Sequence, residues 1–377
     1  MWFASCFRPL LAIGLTLWIG LACAQTTNVQ PPVGQLSFSQ VKKRRLRGSV
    51  PVYFGFTVSP SGVIYSMRPE KPEIVLLTAG SGHVRRLKIR GLPQTVAEWQ
   101  LGNEIGVDGD GFIYVPGYSR QWSLKEQPSS SLFGVLVFSP RGRYRRTIHL
   151  SPPADIRHLV VDDARHLLVL GVDLAALYQP EAPCRLAHEY DATGMRLTTF
   201  SECSPVESQW QTGETPGHLY FRQHRSARGG QLIAGDDKLQ HALYAARLVR
   251  VFDPYGNLVR EIQLEPPERK SSPSVPEARD SADQDDAIQR VALLSEERFL
   301  IQWEHIEDSS YGRRKVLYLG MCDRSGRALS DAAFAPGMLL FVDPSDQAYF
   351  LDTLAGGEQE LIRARINLRL PTTSGLK

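Results

Sequence analysis

Val107-Asp-Gly-Asp-Gly-Phe-Ile-Tyr114 reads as the end of one strand, a polar turn and the start of a second strand. The outline recurs at Val58-Ser-Pro-Ser-Gly-Val-Ile-Tyr65 and Val161-Asp-Asp-Ala-Arg-His-Leu-Leu168. Weaker forms are Ser226-Ala-Arg-Gly-Gly-Gln-Leu-Ile233, Leu294-Ser-Glu-Glu-Arg-Phe-Leu-Ile301 and Val342-Asp-Pro-Ser-Asp-Gln-Ala-Tyr349. The six starts are 49, 54, 65, 68 and 48 residues apart, the spacing of a constant core whose loops vary in length.

A second hairpin follows each of the first five repeats, with turns closing on Gly82, Gly142, Gly194, Gly256 and Gly326. Their settings are alike: Phe138-Ser-Pro-Arg-Gly142, Tyr190-Asp-Ala-Thr-Gly194 and Phe252-Asp-Pro-Tyr-Gly256. Glycine supplies a positive φ at little steric cost, and Asp or Pro sets up the turn before it. Four strands joined by tight turns are the blade of a propeller. The sixth unit ends before its outermost strand. The alternating segment 35–41 is otherwise unassigned and is expected to supply that strand and close the ring, because an open ring leaves two bare sheet edges. The expected fold is all-β: a six-bladed β-propeller of four antiparallel strands per blade.

These SPSG/DGDG and FSPRG/FDPYG turns resemble those of the NHL-like group of six-bladed propellers, over nearly the whole chain after its leader. The motifs are turn chemistry and name no activity. Some propellers of this general shape are lactonases or esterases that hold calcium in the central channel with Asn, Asp and Glu. That analogy places candidate oxygen ligands near the start of the innermost strands: Glu98, Asn103, Glu104, Asp155 and Asp286. Only Asn103 among the asparagines after the leader suits the role. A zinc lyase wants about three convergent histidines, and only His158 and His224 fall near inner strands.

Around this core, Arg8 precedes the apolar run 10–21, and Ala22-Cys23-Ala24 supplies a small-residue exit. Residues 1–24 are therefore expected to be a secretory signal cleaved before Gln25, placing the chain in the periplasm or outside the cell. The run is short for a membrane span; lipid on Cys23 is the alternative, though Gly20 stands where that motif wants a Leu-like residue. Residues 25–50 then form an extension carrying the closing strand, and 51–377 the propeller. No second apolar run follows, so no transmembrane span is expected in the mature chain. The net charge of +3 gives no reason to expect nucleic acid as a partner. Export permits disulfides, and Cys184 and Cys203 flank the hairpin turning at Asp191-Ala-Thr-Gly194, which brings them together. Cys322 is left as a buried strand residue.

Short turns between first and second, and between third and fourth, strands fall on one face. Every long insertion falls on the other: 116–132, 171–183, 201–217, 265–286 and 303–315. The segment 265–286 is rich in Pro, Ser and charge and reads as a mobile loop. The elaborated face is the expected binding face, with Tyr118, Trp122, Trp210 and Trp303 in its loops and Arg157 and His158 at the start of an inner strand. Asp108-Gly-Asp-Gly111 has the opening of a calcium loop but lacks the downstream Glu and sits at a repeat turn. Neither a Gly-x-Ser-x-Gly elbow nor a phosphate loop is present. The basic run Lys42, Lys43, Arg44, Arg45 and Arg47 offers weak contact with an anionic envelope surface, diluted if it is a strand with alternating sides. The sequence reading is a binding or scaffold module for a protein, peptide or glycan without a cofactor; a metal-dependent hydrolase or lyase is the alternative. Unreduced peptide mapping by mass spectrometry is expected to link Cys184 to Cys203; two free thiols in exported protein would remove the bridge.

Overall fold

Where an aspartate opens a repeat turn, it caps that turn with its own side chain. Asp108 Oδ1 accepts the Phe112 N–H at 2.8 Å, Asp162 that of His166 at 2.7 Å and Asp343 that of Gln347 at 3.1 Å. The second hairpins repeat the device with Asp191, Asp253 and Asp323, each accepting the N–H four residues on. The glycine closing these turns has a φ of 77° at Gly142 and 96° at Gly194, where a side chain would be strained. Asp108 also accepts from the Tyr114 hydroxyl, and Asp110 pairs with Arg165, so the DGDG carboxylates are engaged by the turn and its neighbour.

In the computed structural model these hairpins assemble into six blades of four antiparallel strands. It describes residues 33–52, 55–68, 72–123, 129–179, 183–203, 230–234, 239–244, 247–268, 287–309 and 312–369. Counted outward from the channel, blade one is Phe56–Val58, Val63–Arg68, Glu73–Thr78 and His83–Lys88. Blade two has a broken inner strand, Trp99–Leu101 and Gly106–Val107, then Ile113–Ser119, Phe133–Phe138 and Tyr144–His149. Blade three is Ala154–Val161, Leu167–Asp173, Arg185–Tyr190 and Arg196–Glu202. Blade four is Gly230–Ala234, Leu239–Leu243, Leu248–Phe252 and Leu258–Gln263. Blade five is Ala287–Leu293, Phe299–Ser309, Gly312–Cys322 and the short Ala333–Phe334. Blade six is Met338–Val342, Gln347–Thr353 and Gln359–Arg369, completed by the N-terminal strand Gln35–Arg45.

That last pairing closes the ring, from Gln35 opposite Arg369 to Arg45 opposite Glu360. It runs further than the 35–41 expected from sequence. A break in register between Ser39 and Lys42, with Gln40 at φ 51°, lets the strand resume through the basic residues. Lys43 and Arg45 then pair with Glu360 and Glu358, while the stem of Arg44 lies over the Gly82 turn of blade one. Charged side chains on the outermost strand protect it from unwanted pairing.

Adjacent blades bury an apolar seam at every junction. Val75, Leu77 and Val52 meet Leu351 and Leu361 where blade one adjoins blade six, as Ile301 and Phe299 meet Val249 and Val251 between blades four and five. Glutamines, two of them buried, bond neighbours across three seams. Gln231 Oε1 accepts the Val291 N–H at 3.4 Å, Gln302 bonds Gly337 and Leu339, and Gln359 bonds both backbone groups of Val50. Cys184 and Cys203 form the disulfide across the blade-three hairpin, with Cα atoms 5.5 Å apart; closing a loop of this size is worth about 3 kcal/mol. Cys322 is a buried free thiol.

Three local expectations are corrected. In blade four, Gln231 to Ile233 lie on the innermost strand, which pairs from Gly230 opposite Leu243 to Ala234 opposite Leu239, so Gly229-Gly230 only imitates a repeat turn. The segment 303–315 is not a loop, because its strands stay paired from Trp303 opposite Tyr318 to Ser309 opposite Gly312. Residues 265–268 are fixed to blade five: Glu265 N–H donates to Gly326, Ala332 N–H to Glu268, and Pro267 covers Gly320. Residues 269–286 lie outside the described residues, as do 1–32 and 204–229.

Closure gives a direct expectation. Leu36 is buried against Ile366 and Phe350, so Leu36→Ala should cost about 2–5 kcal/mol in chemical unfolding. Val41→Ala, at an exposed bulge position, should stay within about 0.5 kcal/mol. Equal small effects at both sites would detach the N-terminal strand from the blade.

Candidate functional site

The inner strands converge on a channel whose mouth opens on the face carrying the longer connections. A cavity of about 1120 Å³ occupies that mouth. Its wall comprises residues 100–104 and 116–118 of blade two, 154–158 of blade three, Tyr244 and Arg247 of blade four, and 287–290 of blade five. Phe56 and Met338 complete it from blades one and six.

Irregularities in the inner strands aim polar groups into this space. The break between Leu101 and Gly106 brings Asn103 and Glu104 to the wall. Register shifts lie between Ile156 and His158 in blade three and between Ile288 and Arg290 in blade five. His158 and Arg290 follow these bulges at corresponding places, opposite Leu170 and Gln302. A bulge turns the strand and re-aims its side chains.

Of the residues singled out from sequence, Tyr118, Arg157, His158, Asn103, Glu104 and Asp155 share the cavity wall. Trp122 packs into an aromatic cluster, its ring 4.9 Å from Phe133 and 5.9 Å from Tyr118. Trp303 is 1% exposed, in the seam between blades four and five, and does not line the cavity. Strand pairing, not a loop, holds it there. Glu98 is exposed beside the short helix Gln94–Ala97, away from the wall. Trp210, His224 and Asp286 fall outside the described residues. Sequence reasoning missed Arg290, Tyr244, Arg247 and the amides of Gln100 and Gln289. The start-of-inner-strand rule that selected Arg157 reaches Gln289 and Arg290 equally.

The charges around the mouth are unevenly matched. Asp155, 7% exposed, forms an ion pair with Arg157. Tyr118 beside them has its pKa raised by burial and by Asp155, against a smaller pull from Arg157. Burial and then Arg290 push the pKa of His158 down to about 3, so the ring is a neutral hydrogen-bonding group. Its Nδ1 has no hydrogen-bond partner among the described residues. Burial raises Tyr244 to about 12, and its hydroxyl donates to Gln231 Oε1 at 2.8 Å.

Two more histidines are buried behind the wall. His241 shares a hydrogen bond through Nδ1 with Ser201, and its Nε2 lies against Gly230, where a Cβ would come within 2.8 Å. Burial and Arg250 lower its pKa to about 3. His188 is lowered to about 4 by burial, beside the ion pair of Asp173 and Arg196. Among the described residues, one trio has metal-ligand spacing: Asp162, His166 and Glu189. It sits at the blade-three turns on the opposite face, where His166 Nδ1 is already 2.8 Å from Glu189, and it is unconnected with the cavity.

No protein-family model matches the chain, and no curated protein does. Among solved structures the chain is similar to a member of the DUF4221 family from Bacteroides vulgatus, at 10% identity over 90% of this chain and 100% of that one, with a TM-score of 0.49. It is similar to the PQQ-bound aldose sugar dehydrogenase of Streptomyces coelicolor at 12% identity, over 89% and 100%, with a TM-score of 0.46. Streptogramin B lyase matches at 10% identity, over 86% and 98%, with a TM-score of 0.44. These scores carry no activity or ligand across, and the blade count rests on the strand pairing. Fold and site together define a six-bladed β-propeller with a polar cavity at one channel mouth.

The three depressed histidines predict acid lability. Each is neutral when folded and takes up a proton on unfolding once the pH is below its ordinary value of 6.5. Their contribution is present above about pH 6.5 and is lost as pH falls toward 4 and then 3. Each costs roughly 1.4 kcal/mol per pH unit within that window. Unfolding followed from pH 7 to pH 4 should show this slope, and His241→Gln should flatten it by about one proton. An unchanged slope would mean that His241 is not held neutral.

Proposed function

We propose that this chain is an exported binding module that takes a protein, peptide or glycan partner at the channel mouth on its loop-bearing face. The observation that supports it is the cavity of about 1120 Å³, walled by rigid inner strands and by side chains that mix rings, amides and charges. Such concave sites, with a few placed polar groups, are where ligands bind. The disulfide supports an oxidising compartment, in keeping with the signal-like leader. No helix among the described residues is long and apolar enough to cross a membrane.

The competing hydrolase or lyase reading draws on Asn103, Glu104 and Asp155, which line the same cavity. Asp155 is committed to Arg157, which leaves that ligand set weak at the channel.

A thermal-shift screen of the mature chain against envelope glycans and peptides tests the proposal. A partner present at a hundred times its Kd should add about 2.7 kcal/mol of stability, a rise of several degrees. Tyr118→Ala should weaken the hit about tenfold or more. Hits indifferent to Tyr118 and to its neighbours on the wall, or one tightly held metal equivalent with turnover of esters or lactones, would overturn it.

A further inference from the structure

Arg290 carries an interaction left open inside the cavity wall. Its guanidinium stacks 4.2 Å from the centre of the Phe56 ring and hydrogen-bonds the Tyr244 hydroxyl, whose pKa it lowers against the upward push of burial. Its Nε is buried without a hydrogen-bond partner, and no ion pair joins it to a carboxylate among the described residues. A partly buried cation without a counter-charge is costly, and a ring face offsets only part of that. The planar guanidinium is suited to a bidentate carboxylate.

The surroundings restrict the anion further. Arg157 is matched by Asp155, while Arg247 stacks over Trp303 at 5.8 Å. Glu104 adds negative charge to the wall, which opposes a dianion such as a phosphate ester. What remains is a place for one negative charge. The same wall carries the amides of Gln100, Asn103 and Gln289 and the ring of Tyr118, a surface matched to a hydroxyl-rich ring and larger than one sugar requires.

We propose that the channel mouth binds a short saccharide bearing a uronic-acid carboxylate, and that Arg290 receives that carboxylate. The inference rests on the reading of the mouth as a binding site and narrows its ligand to one chemistry.

Calorimetry on the full mature chain tests it, with di- and trisaccharides of galacturonate and glucuronate as probes. Their neutral galactose and glucose counterparts, their methyl esters and inorganic phosphate are the comparisons. Uronates should bind at least tenfold more tightly than the neutral sugars, esters or phosphate. Arg290→Gln should bring uronate affinity down to the neutral level, and Arg290→Lys should retain part of it. If Arg290→Gln does not fold, loss of binding on esterifying the ligand answers the same question with the unaltered protein. Equal binding of ester and acid, tighter phosphate, or an Arg290→Gln variant with unchanged uronate affinity would overturn the inference. Failure of every saccharide would also overturn it, yet a peptide hit weakened by Tyr118→Ala would leave the broader binding proposal standing.

Discussion

The antiparallel pairing of Gln35–Arg45 with Gln359–Arg369 is the contact on which the ring depends. Five blades take all their strands from one continuous stretch, but the sixth has only three until the N-terminal strand arrives. Without it, blade six exposes an edge, and Leu36 and Phe38 leave the apolar seam around Ile362 and Phe350. The hydrogen bonds of Gly34 to Leu329 and of Asp331 to Gly34 tie the same strand to blade five. Gln359 bonds both backbone groups of Val50 and so joins blade six to the start of blade one. First and last parts of the chain therefore stabilise each other across the greatest sequence distance the fold contains. Such non-local pairing is entropically expensive to form and cooperative once formed.

A closed ring permits the inner strands to be irregular at the channel. The broken strand of blade two and the bulges of blades three and five would weaken an isolated sheet. Here their outer neighbours and the seams hold them in place. The result is a mouth in which Asn103, Glu104, His158 and Arg290 project from fixed backbone. Affinity gains from such pre-organisation, because less freedom is lost when a ligand docks. The buried histidines behind the wall belong to the same economy of space: His241 fits only because Gly230 has no side chain.

Turn chemistry made the architecture legible. Asp or Ser at the head of a turn and Gly at its foot have local physical causes, so the hairpins of blades one, two, three, five and six stand where the sequence places them. Blade four was misread by several residues because Gly229-Gly230 is an adequate turn signal in sequence, and only the pairing of Gly230–Ala234 with Leu239–Leu243 puts a strand there. Trp303 shows the opposite difficulty. An aromatic residue in a polar-looking stretch is as compatible with a long paired hairpin as with a loop, and strand register decides that it is buried. At the mouth, Arg157, His158, Asn103, Glu104 and Asp155 were legible from their places near the start of inner strands, and Tyr118 as an aromatic of a long insertion, though it stands on the strand Ile113–Ser119. The same rule reaches Arg290, but its significance lies in what surrounds it: a ring on one side, a hydroxyl on another, and no ion-paired carboxylate among the described residues. The glutamine bonds between blades left no pattern in the sequence, because Gln231, Gln302 and Gln359 occupy different strands of their blades.

Native-state amide hydrogen exchange of the mature chain measures the closure on which this account rests. Amides of the Gln35–Arg45 strand that bond to Gln359–Arg369 should exchange as slowly as those of the inner blade-six strands, and should open only with global unfolding. Fast exchange in Gln35–Arg45, with the rest of blade six still protected, would contradict the closed ring and the rigid channel mouth built upon it.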